Sequence, residues 1–258
     1  MSRIRARSIV NGLIFVALLA ECVWLLGHVV FNWGSKTYPP TPRSLTFLPP
    51  VPPSGADVLL RLSAVAASQS SPPWPADAPY AYVKVNSWHL PAHDTNRPVV
   101  PRASAAWRPR GQVPALSVSR TVAEQLLAPG RRGGGWAAAW EFADLVSLTR
   151  SRPVPGAAQA ILLRRLAAVQ GVVNDGSTTD RAGRTGAAVS LESGYTGEPI
   201  TYTLVFDPAT GALLESDETL AGPPHHLNAL KGSVVGFTTF ESAGYVTSKT
   251  ATAGAASP

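Results

Sequence analysis

The sequence predicts an α+β protein: an N-terminal transmembrane helix, then an exterior domain in which a curved antiparallel β-sheet (a meander) is covered on one face by helices. Three observations carry this. An apolar run, Ile9 to Phe31, is long enough to cross a bilayer. Stretches with helical spacing of apolar residues follow it in the middle of the chain. The C-terminal third alternates apolar and polar residues between short turns, the pattern of strands joined in series.

The apolar run comes first. Its 23 positions include fourteen Ile, Leu, Val and Phe residues, and as a helix it measures roughly 34 Å at about 1.5 Å per residue. A hydrocarbon core is about 30 Å thick. One mid-membrane acid, Glu21, costs about 2.5–3.5 kcal/mol, less than the apolar residues supply together. Arg3, Arg5 and Arg7 precede the run, whereas only Lys36 and Arg43 follow closely. The positive-inside bias therefore places the N-terminus in the cytoplasm and the rest outside, in the cell membrane by a single pass. A cleaved signal peptide has a core of about 7–15 residues and a small-x-small site. Here the run is longer and Asn32-Trp33-Gly34-Ser35-Lys36 follows, so the anchor is expected to be retained. A lipoprotein signal ending at Cys22 is disfavoured by Glu21 immediately before it. Glu21 and His28 share one helix face; either they contact a partner helix from another membrane protein or a second copy, or Glu21 is a tolerated polar residue of a single anchor.

The expected organisation is a cytoplasmic basic tail at 1–8, the transmembrane helix at 9–31, a Pro-rich linker at 32–54, an extracytoplasmic α+β domain at 55–250 and a disordered tail at 251–258. Seven prolines between Asn32 and Pro53 make a semi-rigid polyproline spacer. Cys22, the only cysteine, lies in the apolar run, so the exterior domain must hold through its core without a disulfide.

Within the domain, Asp57 is placed to cap a helix over 58–66. Residues 81–85 read as a strand, with Tyr80, Tyr82 and Trp88 on one face and Val83 and Val85 on the other. Edge strands are expected near 105–107 and 115–118. Helices follow at 121–127, at 137–149 with Ala139, Phe142, Leu145 and Val146 inward, and at 156–169 behind Pro155. Strands are expected at 187–192, 200–206, 213–220 and 233–246. Asp207, Pro208 and Gly211 form a structural turn between two of them.

Charge is uneven. Residues 97–165 hold eleven arginines against Glu124, Glu141 and Asp144, whereas 166–258 hold four basic and nine acidic residues. Either the halves neutralise each other in the fold or the basic part faces anionic lipid or a partner. No aromatic-interleaved basic motif points to nucleic acid. His225-His226 with His89 and His93 lack carboxylates or cysteines at ligand spacing, and no Gly-x-Ser-x-Gly elbow occurs, so neither a metal, a cofactor nor a catalytic set is expected.

The stretches Phe142-Ala143-Asp144-Leu145, Pro153-Val154-Pro155, Leu163-Arg164-Arg165-Leu166-Ala167-Ala168-Val169-Gln170-Gly171-Val172, Gly183-Arg184-Thr185-Gly186-Ala187-Ala188-Val189 and Leu204-Val205-Phe206-Asp207-Pro208-Ala209-Thr210-Gly211-Ala212-Leu213-Leu214 resemble an actinobacterial family of single-pass membrane-anchored proteins of unknown function. Its genes often lie beside sigma factors. The resemblance covers about 55–250, with the Phe-Asp-Pro-x-Thr-Gly-x-Leu-Leu turn its most specific piece. It implies a structural motif and no catalytic residues. The order of elements also resembles the half-barrel sheets of lipoprotein carriers, an analogy of fold only.

The leading expectation is thus a non-enzymatic extracytoplasmic sensor or protein-interaction domain linked to a sigma-factor system. The alternative is a carrier of a hydrophobic or lipid ligand in the concavity of the sheet, its pocket lined by Tyr202, Leu204 and Phe237.

Overall fold

The computed structural model of the protein describes residues 38–48, 53–69, 74–90, 99–112 and 137–252. The expected anchor with Glu21 and His28, the strand at 115–118, the helix at 121–127, His93 and most of the C-terminal tail lie outside them. Among the described residues no helix is long and apolar enough to cross a membrane.

From Pro39 onward the chain forms one unit, and its described residues make three α-helices beside an eight-stranded antiparallel sheet. In chain order the elements are β1 (Phe47–Leu48), α1 (Gly55–Ser68), β2 (Tyr80–His89), β3 (Arg102–Pro109), α2 (Ala137–Ser151), α3 (Gly156–Ala167), β4 (Val173–Thr179), β5 (Thr185–Ser193), β6 (Ile200–Phe206), β7 (Leu213–Leu220) and β8 (Val234–Val246). The sheet order is β1-β4-β5-β6-β7-β8-β2-β3. Strands β4 to β8 are therefore a meander, as hairpins joined by short turns must be. β2 and β3, which come earlier in the chain, extend its far end.

Ser54, not Asp57, is the N-cap of α1. Its hydroxyl accepts from the Asp57 amide at 3.2 Å, and the Asp57 carboxylate accepts from the Ser54 amide at 3.2 Å. Both orphan donors of the first turn are satisfied reciprocally, which a cap at Asp57 alone would not achieve. α3 begins behind Pro155 and ends with Arg164 and Arg165 beside its negative C-terminal carbonyls.

One face of the sheet packs on the helices. Val83, Val85, Val189, Leu191, Tyr202, Leu204, Phe206 and Phe240 meet Leu59 and Leu62 of α1, Phe142 and Leu145 of α2, and Leu163 and Leu166 of α3. The turn at 207–211 ties the layers together. The Asp207 carboxylate accepts from the Ala209 amide at 2.8 Å and the Thr210 hydroxyl at 2.7 Å. Gly211 sits at φ +73°, and a Cβ there would lie 2.8 Å from the Leu62 carbonyl. Its own carbonyl accepts from the Gln159 side chain of α3 at 2.9 Å. Only glycine meets both the backbone angle and the close approach of α1.

Two strands escape the alternation rule. β4, Val-Asn-Asp-Gly-Ser-Thr-Thr, is polar and carries a bulge between Asn174 and Gly176. β1 holds two residues paired with Thr178 and Ser177, inside the segment expected to be a free spacer. That segment is not free over Pro39–Leu48. Besides the β1 pairing, the Thr46 carbonyl accepts from Thr178 at 2.8 Å and the Ser44 hydroxyl donates to the Gly232 carbonyl at 3.1 Å. Proline removes donors, but the intervening Ser, Leu and Thr residues supply pairing and apolar contact.

Candidate functional site

The site lies on the sheet face opposite the helix-packed one, and strand registry places its residues. Asp217 of β7 stands opposite Thr203 of β6 and Phe237 of β8, while Glu215 stands opposite Val205 and Thr239. Phe237 in turn stands opposite Trp88 of β2. These residues therefore share a face, because side chains directly opposite across an antiparallel pair point the same way. Tyr202 and Leu204 are neighbours of Thr203 and point the other way. The expected trio is thus divided: Tyr202 and Leu204 belong to the helix-side core, and Phe237 to a separate cluster with Trp88 and Val234. The Tyr202 ring meets that of Tyr195 in a tilted contact at 5.4 Å, and Tyr195 meets Trp140 of α2 in another at 5.0 Å, so Trp140 packs internally. Burial raises the Tyr202 hydroxyl well above the usual phenol range.

Phe237 borders a cavity of about 710 Å³, within the range of about 300–1,000 Å³ typical of small-molecule sites. Its walls come from three places. Pro42, Arg43, Ser44, Leu45, Thr46 and Leu48 belong to the strap that leads into and forms β1. Ser177, Thr178, Thr179, Arg181 and Thr185 come from β4, β5 and the turn between them. Val99 and Pro101 precede β3. Leu45 also packs on Ala188, Val205 and Leu214, and Val99 on Trp88 and Phe237.

Behind the cavity wall stands an ionic group that the sequence reading did not single out. Glu215 and Asp217 are 0% and 3% exposed, and both take their cation from Arg181. The guanidinium pairs with Glu215, reaches Asp217 at 2.6 Å, and lies 4.2 Å over the Phe237 ring. It also donates to the Arg43 carbonyl at 3.0 Å. Glu215 further accepts from the Arg181 amide and from Thr239, each at 2.8 Å, and Asp217 from Thr219 at 2.8 Å. Burial raises both carboxyls above their ordinary range, and Arg181 opposes that rise.

The β4–β5 turn aims Arg181 inward. The Asp180 carboxylate accepts from the amides of Ala182 at 3.0 Å and Arg184 at 2.8 Å, and pairs with the Arg184 guanidinium at 2.6 Å. Gly183 takes φ +84°, which closes the turn without side-chain strain. The legible signal for this group was the spacing of Glu215, Asp217 and Thr219 in a strand, two apart and so on one face. Arg181 carries no such signal, since its partners lie 34 and 36 residues away.

The remaining motifs are structural. The Glu198 carboxylate accepts from the amides of His225, His226 and Leu227 at 2.7, 2.5 and 3.0 Å, which fixes the double-histidine loop. Burial pushes that carboxyl up, but the three donors outweigh it and hold it below its usual value. Among the described residues no group of three His, Cys, Asp or Glu is placed to hold a metal ion. Of the carboxylates of the C-terminal third, Asp180 pairs with Arg184, Glu215 and Asp217 with Arg181, and Glu241 with Lys84. Arg102, Arg108, Arg110 and Arg150 of the basic stretch make no salt bridge among the described residues. Arg110 lies over the Trp74 ring and donates to the Trp74 carbonyl at 2.7 Å.

Compared with known proteins, the chain matches no family model, no curated protein and no solved structure.

Proposed function

We propose that this is a membrane-anchored extracytoplasmic binding domain, non-enzymatic, that takes a hydrophobic ligand on the inner face of its sheet. The observation that supports this best is the cavity beside Phe237, walled by Leu45, Leu48, Val99 and Pro101. Residues from both ends of the sheet order line it, because β1 and β4 stand at one end and Val99 and Pro101 lead into β3 at the other. In this reading the sheet curls so that its ends approach, as strand twist favours. Burying an alkyl chain there contributes about 0.8 kcal/mol per methylene. The anchor at 9–31 holds the domain outside the cell membrane with the N-terminus in the cytoplasm, and Glu21 and His28 contact a partner helix. Nucleic acid has no part in this reading.

The test is mass spectrometry of lipid carried by the full chain released from membranes. Wild type is expected to retain a defined lipid, and Phe237→Ala with Leu45→Asp to lose it. A wild-type chain that carries none beyond what the detergent itself brings defeats the proposal.

The sensor reading, with its link to a sigma-factor system through the family resemblance, keeps one specific support. The strap that walls the cavity is the segment that leads back towards the anchor, so a ligand touching Leu45 touches the connection to the membrane. In that form sensing follows from binding rather than competing with it.

A further inference from the structure

We propose that the ligand of this cavity is an acyl chain ending in an anionic head, and that Arg43 holds the head. The inference rests on the binding reading above and names the chemistry of the same site.

Two arginines line the cavity, and no Asp or Glu is among its described lining residues. The two cations are not equivalent. Arg181 is committed, because its guanidinium already serves Glu215, Asp217 and the Arg43 carbonyl. Two carboxylates against one guanidinium leave it no charge to offer. Arg43 makes no salt bridge among the described residues, and its side chain is exposed at the edge of the cavity.

Its backbone is held on the C-terminal side of that side chain, once directly and once through the hydroxyl of the next residue. The Arg43 carbonyl accepts from Arg181 at 3.0 Å, and the next residue, Ser44, donates to the Gly232 carbonyl at 3.1 Å. A guanidinium at the rim, with Thr179, Thr185 and Phe237 among the walls, fits an amphipath. The head would sit where water reaches it and the chain against the apolar side. Carboxylate and phosphate both suit a guanidinium fork. A neutral or cationic head would leave Arg43 without a partner.

Three photoactivatable probes of equal chain length separate the possibilities: a diazirine fatty acid, the matching fatty alcohol and a diazirine lysophosphatidate. Each is added to the full chain reconstituted in phosphatidylcholine vesicles, and labelled peptides are mapped by mass spectrometry. One or both anionic probes are expected to label peptides containing 42–48 and 177–185 at about tenfold lower concentration than the alcohol. Arg43→Gln should remove that preference, and Arg43→Lys should retain part of it. If acid and alcohol label the cavity equally in both wild type and Arg43→Gln, the head-group assignment is wrong while the cavity remains a hydrophobic site. If no probe labels these peptides and only 9–31 is labelled, the binding reading fails with it.

Discussion

Replacing Arg181 by methionine tests the ionic group directly. The substitution keeps most of the apolar stem, removes the cation, and leaves Glu215 and Asp217 at 0% and 3% exposure. Glu215 keeps its bonds from Thr239 and the residue-181 amide, and Asp217 keeps that from Thr219. Hydrogen bonding therefore survives in part while charge compensation disappears. Breaking one side of a buried ion pair costs about 3–5 kcal/mol, and the lost stacking on Phe237 adds about 0.5–1 kcal/mol. For a domain of this size each kcal/mol moves Tm by about 2–4 °C. A fall of about 7–24 °C is expected at pH 7.5, read by tryptophan fluorescence of the full chain in detergent.

The sign of the pH dependence follows from the carboxyls. Burial raises both, so the native state holds protons at a pH where the unfolded chain, with ordinary values near about 4–4.5, has lost them. Such groups support the native state most at low pH, and stability falls as pH rises through their folded values. Without Arg181 those values climb further. The deficit of Arg181→Met must therefore be smaller at pH 5 than at pH 7.5. Adding Glu215→Gln and Asp217→Asn should return most of the loss, since neutral replacements of a buried ionic group are often tolerated. A loss below about 1 kcal/mol at pH 7.5, or an equal loss at both pH values, refutes the reasoning.

Three further outcomes follow from the packing. A Cβ on Gly186 would lie 2.5 Å from the Val205 side chain and 2.9 Å from the Phe206 carbonyl, both held in a central strand. Gly186→Ala should therefore cost about 1–3 kcal/mol by overpacking, seen as a lower Tm at every pH. Phe142, 1% exposed beneath α2, should cost about 3–5 kcal/mol as Ala, read by chemical denaturation. Asp175 sits at the β4 bulge with one buried carboxylate oxygen lacking a hydrogen-bond partner, and burial raises its carboxyl. Asp175→Asn should gain stability relative to wild type as pH rises from 5 to 8, and a gain that is flat with pH contradicts this assignment.

What the sequence determined by itself was local. Spacing marked α2 with Ala139, Phe142 and Leu145 inward, and alternation marked β5 to β8. The Asp207–Gly211 chemistry marked the turn, because caps, periods and turn angles depend on residues a few positions apart. β4 escaped because its residues are polar, and its place in the sheet comes from pairing with Thr185 to Ser190. β1 escaped because two residues carry no period, and the prolines around it read as spacer.

The site was legible only in fragments. The strand at 200–206 was recognisable, and Phe237 as a candidate lining residue. Tertiary structure decided that Tyr202 and Leu204 turn to the helices, that Phe237 faces the cavity, and that Arg181 reaches Glu215 and Asp217. It also laid Pro42–Leu48 along that cavity. The reason is physical: a strand's alternation gives two faces but not which one meets the helices. Registry, bulges and contacts between distant residues are settled only when the sheet assembles.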